Sequence, residues 1–64
     1  MNIYDIEVGD ILVNVDENGA GYFLVKKVNR KTVDVIGENG NHVRAYPCIF
    51  NRKVTYPVPA FATS

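Results

Sequence analysis

The sequence has no tryptophan, one cysteine (Cys48), one histidine (His42) and no surplus of either charge. A single cysteine excludes an internal disulfide framework and any multi-cysteine zinc site. Lys plus Arg number 7 and Asp plus Glu number 7, whereas a protein that coats nucleic acid by charge alone is normally clearly basic. No run approaches the ~18 consecutive apolar residues of a membrane span. Asp5 and Glu7 stand where a signal peptide needs Lys or Arg, and no apolar stretch follows them. The expectation is therefore a cytoplasmic protein with Cys48 reduced and no membrane partner. Helical periodicity is also missing, because Gly or Asn interrupts every window in which apolar residues recur at i, i+3, i+4 and i+7.

What is present suits one small β domain. The 64 residues are 47% apolar, enough for a thin core and too much for disorder. Short β-branched runs alternate with turn residues. They predict strands over residues 11–15, 21–28, 32–36, 42–46 and 52–56. Asp16 to Gly21 reads as a long polar loop, Asn29-Arg30-Lys31 as a short turn, and Glu38-Asn39-Gly40 as a three-residue hairpin loop with Gly40 left-handed. Pro47 cannot sit in a central strand, so Pro47 to Phe50 reads as a single 3-10 turn with Ile49 or Phe50 plugging the core.

The turns fix a register. Centring one hairpin on Asn39 sets Gly37 against Asn41, Val35 against Val43, Asp34 against Arg44 and Val33 against Ala45. Centring the other on Arg30-Lys31 sets Val28 against Val33 and Lys27 against Asp34. A bulge at Lys26-Lys27 then brings Val25 opposite Val35. A slip of one residue would bury Arg44. The expected core is Ile11, Val13, Val25, Val28, Val33, Val35, Val43 and Phe50.

This succession resembles the SH3-like small β-barrel with a KOW-type pattern. The residues that carry the resemblance are Val8-Gly9-Asp10-Ile11-Leu12-Val13, Tyr22 to Val28, Lys31 to Val35, Gly40 to Tyr46, and Phe50. In size and style the chain is also similar to short SH3-like proteins of phages and mobile elements. The resemblance implies an all-β, five-stranded SH3-like barrel over residues 1–56, with an extended Pro-containing tail at 57–64. It also implies a binding module rather than an enzyme, and leaves the partner open.

Chemistry-bearing residues are sparse. His42 and Cys48 lie about 20 Å apart along an extended strand at ~3.3 Å per residue, too far for a nucleophile–base pair. Asp5, Glu7 and Asp10 have no calcium-loop spacing, and Gly19-x-Gly21 precedes no helix, so neither a metal nor a phosphate loop is expected. No catalytic residue, cofactor or small-molecule substrate is expected. Two binding classes remain. Protein–protein contact, homodimerisation included, draws on Ile36, Tyr46, Val58 and Phe61, which combine an outer sheet face with a proline-bearing apolar tail. Nucleic-acid binding draws on Tyr22, Lys26, Arg30, Lys31, Arg44 and Tyr46, cations interleaved with stacking platforms. Residues 1–20 carry five acids and no cation, and residues 21–64 carry all seven cations and two acids. A polarised surface follows if the fold keeps the two apart. Protein contact is the first expectation, because net charge is zero and Asp34 offsets Lys27 and Arg44.

Overall fold

Turn chemistry decides where this chain reverses. The computed structural model describes residues 2–56 and 58–61. Five strands, β1 (Ile11–Asp16), β2 (Gly19–Val28), β3 (Val33–Gly37), β4 (His42–Ala45) and β5 (Arg52–Val54), form one antiparallel sheet in the order β4-β3-β2-β1-β5. Three single-turn 3-10 helices accompany it: η1 (Ile3–Asp5), η2 (Pro47–Ile49) and η3 (Pro59–Phe61). The fold is all-β, and no helix among the described residues is long and apolar enough to cross a membrane.

The β2–β3–β4 register is the one the turns imply. Val28 pairs with Val33, Lys27 with Asp34, and Val25 with Val35 across a bulge between Val25 and Lys27. Val35 pairs with Val43, Asp34 with Arg44 and Val33 with Ala45. The Gly37 N–H donates to the Asn41 carbonyl at 2.9 Å, and Gly40 has φ +87°. The β1–β2 connection differs from the expected long loop. Asp16 pairs with Gly19, so only Glu17 and Asn18 form the tip. The Asp16 carboxylate accepts the Asn18 N–H at 2.8 Å, and Gly19 has φ +121°. An Asx turn followed by left-handed glycine closes the hairpin in two residues and leaves 19–21 in the strand.

The main core takes Leu12, Val25, Val33, Val35, Ala45, Phe50 and Ile6, with Ile3, Phe23 and Val28 packed against it. Phe50, not Ile49, is the plug: Phe50 is buried and Ile49 exposed. Its ring meets Phe23 edge-on with centroids 5.6 Å apart, the geometry aromatic quadrupoles favour.

Two core expectations need correction. Ile11 and Val13 do not point into this core, because Leu12 pairs with Phe23 and shares its face. Ile11 and Val13 point the other way and enter a second cluster with Val54, Val58, Tyr22 and Phe61. Leu12 and Val13 are both 0% exposed, so β1 is covered on both faces. Val43 does face inward, yet it is 43% exposed, because β4 is an edge strand with nothing beyond it in the sheet. The tail also departs from an extended path: Pro59–Phe61 is a 3-10 turn, closed by the Phe61 N–H donating to the Val58 carbonyl at 2.9 Å. Pro57 and residues 62–64 of the expected tail lie outside the described residues.

Candidate functional site

A shallow, widely open groove of about 430 Å³ lies beside η1 and η2, where Tyr4, Tyr46, Arg30 and Lys31 surround Ile3, Pro47 and Cys48. Each wall has a local cause. Asn2 caps η1, its side-chain oxygen accepting the Tyr4 N–H at 3.0 Å, which holds a one-turn helix that packing alone would not specify. Ile3 and Ile6 turn into the core and leave Tyr4 outside, 90% exposed. Tyr46 is the N-cap of η2, extended at φ −78° and ψ 141° just before the buried Pro47. That conformation is the one proline imposes on its predecessor, and it projects Tyr46 outward, 61% exposed. Arg30 and Lys31 form the tip of the β2–β3 turn. Asn29 clamps that tip, donating from its backbone N–H to the Thr32 carbonyl at 2.8 Å and from its side-chain amide to the Thr32 hydroxyl at 3.2 Å.

The charge is polarised by the fold. β2 has ten residues, a length of about 30 Å. Asp16 and Glu17 at the β1–β2 tip lie at its beginning, and Glu38, next to Gly37 opposite Phe23, stands beside its first half. Lys26 and Lys27 lie near its end, and Arg30 and Lys31 beyond it line the groove. Of the acids that precede β1, Asp10 is engaged by Lys53, whose Nζ is 3.6 Å from its carboxylate. The same Nζ donates to the Asp5 carbonyl at 2.9 Å.

The residues expected for nucleic acid thus divide. Arg30, Lys31 and Tyr46 come together, joined by Tyr4, which the sequence reading passed over. Lys26 is the exposed extra residue of the bulge. Arg44 is committed elsewhere: its Nε donates to the Asp34 carboxylate at 2.8 Å. This bond, with help from Asn29 and Lys27, lowers the Asp34 pKa and in turn raises that of Arg44. Tyr22 lies on the opposite face of the sheet from Phe23, in the second cluster. The neighbouring Tyr56 side chain raises its pKa.

The residues expected for protein contact do not form one patch. Val58, expected as an outward anchor, is 7% exposed and packs on Val13 and Val54; Phe61 is half-buried beside it. The chain satisfies these two apolar side chains itself. Ile36 is half-buried, paired with Leu24 and His42, and Tyr46 belongs to the groove. His42 lies in a shallow depression with Asp34 and Arg44, whereas the exposed Cys48 lines the groove. Among the described residues no three His, Cys, Asp or Glu side chains converge.

Comparison of the chain with protein-family models, with curated proteins and with solved structures gives no match.

Proposed function

We propose that the chain is a small non-catalytic binding module of the SH3-like barrel type and that it binds single-stranded nucleic acid in the groove between Tyr4 and Tyr46. The barrel assignment is supported by the bend at the Val25–Lys27 bulge, the 3-10 turn before β5 and the return of β5 to β1. The binding assignment is carried by one observation: two outward tyrosines and two cations line a single groove. A base has a π-face that either ring can stack against, and such stacking is sequence-tolerant. Arg30 and Lys31 meet the phosphates, and Lys26, on the bulge, continues the basic surface along β2, whereas Lys27 stands opposite Asp34. Asp16 and Glu17 lie at the far end of β2 from Arg30 and Lys31, while Asp5 on η1 and Asp34 opposite Lys27 stay at the groove end.

Fluorescence anisotropy with labelled oligothymidine and oligouridine tests this. Affinity should fall linearly on a log–log salt plot, with a slope of about −0.7 for each phosphate neutralised. Tyr4→Ala and Tyr46→Ala should each weaken binding roughly tenfold or more, with the salt slope unchanged. Arg30→Ala with Lys31→Ala should flatten the slope. Absence of binding at low salt, or binding indifferent to both tyrosines, overturns the assignment.

A further inference from the structure

One wall of the groove is not held by burial. Tyr4 is 90% exposed, so the backbone of η1 decides where its ring stands. A single 3-10 turn is weak by itself, because its few hydrogen bonds do not repay the dihedrals they fix. In η1 the Asp5 N–H donates to the Asn2 carbonyl at 3.0 Å, and the Ile6 N–H to the Ile3 carbonyl at 3.2 Å. Ile3 and Ile6 seat the turn on the core, but apolar contact is non-directional. Direction comes from the two ends. Asn2 caps the first. At the second, the Asp5 carbonyl accepts the Lys53 ammonium at 2.9 Å, from 48 positions along the chain. A lysine can satisfy the last carbonyls of a helix in this way, and a charged donor makes a stronger bond than a neutral one.

The lysine is itself anchored. It lies on β5 opposite the fully buried Leu12, and its Nζ stands 3.6 Å from the Asp10 carboxylate. That carboxylate also accepts the Glu7 N–H at 2.8 Å, and the Asp10 N–H donates back to the Glu7 carbonyl at 3.1 Å. Asp10 is tied to the sheet in turn, its carbonyl accepting the Val25 N–H at 2.8 Å. One ammonium thus joins η1, the turn from Glu7 to Asp10, and β5. It acts from outside the groove. Lys53 lines a separate depression with Gly9, Asp10 and Tyr56, not the one that Tyr4, Tyr46, Arg30 and Lys31 surround.

We infer that Lys53 is a positioning residue for the groove, an inference that rests on the nucleic-acid reading of that groove. Lys53 latches η1 to β5 and so fixes the Tyr4 wall against which a base stacks. It differs in kind from Arg30 and Lys31. Those two cations meet phosphate, whereas Lys53 serves the strand without touching it, by ordering an aromatic side chain.

Lys53→Met keeps the apolar stem of the side chain and removes the ammonium. Amide hydrogen exchange of the free full chain reads the latch without nucleic acid. Exchange at Asp5 and Ile6, whose N–H groups close η1, should quicken several-fold relative to the amides of β3. Anisotropy with labelled oligothymidine reads the consequence. Lys53→Met should weaken binding several-fold at an unchanged salt slope, and should add nothing once Tyr4→Ala is made. Lys53→Arg, which returns a charged donor, should restore both readouts. Exchange at η1 that matches the wild type overturns the latch. A loss of affinity that persists beside Tyr4→Ala, or a flatter salt slope, makes Lys53 a phosphate contact and equally overturns the proposal. A wild type that binds no strand overturns the reading of the groove, and the exchange rates then decide the latch alone. Should Lys53→Met fail to fold, the wild type supplies the test. A nuclear Overhauser effect between the Lys53 ε-methylene and the Asp5 backbone is expected, and its absence overturns the latch.

Discussion

Val35 and Val43 stand directly opposite each other on β3 and β4, yet Val35 is 1% exposed and Val43 is 43% exposed. Facing the same way does not give the same environment. Val35 sits under the plug of Phe50 and beside Val25, whereas Val43 is on the last strand of the sheet.

The first prediction follows from that pair. A chain of this size has roughly 3–10 kcal/mol of stability in total. Val35→Asp buries a charge without a partner and should abolish the folded state. Val43→Asp, at an edge open to water, should remain folded. Far-UV circular dichroism and thermal melts of the two variants compare them directly.

The two apolar clusters give a second prediction. Leu12→Ala should lower stability by about 2–5 kcal/mol, the range for a fully buried leucine. Its effect should add to that of Val58→Ala within about 0.5 kcal/mol, because the two side chains share no cluster. Val54→Ala and Val58→Ala, which share one, should couple. Urea titration of the single and double variants measures both.

The third concerns acid and alkali. Asp34 has a lowered pKa, so its contribution is present above the ordinary carboxylate value near 3.9 and fades as pH falls below about 4. Tyr22 has a raised pKa, so its contribution is present below the ordinary phenol value near 10 and is lost as pH rises past about 10. Asp34→Asn should flatten the acid limb of a stability profile, and Tyr22→Phe the alkaline limb. Each should leave the opposite limb as it was. Arg44 is largely solvent-exposed and Asp34 half-buried, so Asp34→Asn should move the melting temperature only modestly at pH 7.

Cys48 supplies a fourth. It is exposed and lines the groove with both tyrosines. Oligonucleotide at saturation should slow its alkylation by iodoacetamide several-fold, with full reactivity restored at high salt. An unchanged rate under saturating strand would place binding elsewhere.

The β2–β3–β4 half of the sheet was legible because three local signals agree. Gly40 takes a left-handed turn, Asp34 pairs with Arg44, and a one-residue slip would bury that arginine. β1 was not legible by the same method. Alternation reports a face only when one side is wet, and both Leu12 and Val13 are fully buried. What covers Val13 is Val58, an apolar residue 45 positions along the chain, which no local pattern connects to it. The groove was half legible. Arg30, Lys31 and Tyr46 stand out by residue type, but Tyr4 is projected there by a capped single turn whose signal is one asparagine. A count of charges does not see the length of β2, which separates Asp16 and Glu17 from Arg30 and Lys31.

The pairing of β1 with β5 has a consequence for how the protein is made. Ile11 pairs with Val54, which leaves the ribosome 43 residues after it. β2, β3 and β4 can zip as successive hairpins while synthesis continues, but one side of β1 stays unmatched until β5 emerges. During that interval Ile11-Leu12-Val13 is an apolar strand with a bare edge, the kind of segment that recruits other nascent chains. Premature termination before Arg52 removes the strand that covers that edge and should yield aggregates rather than a trimmed, working domain.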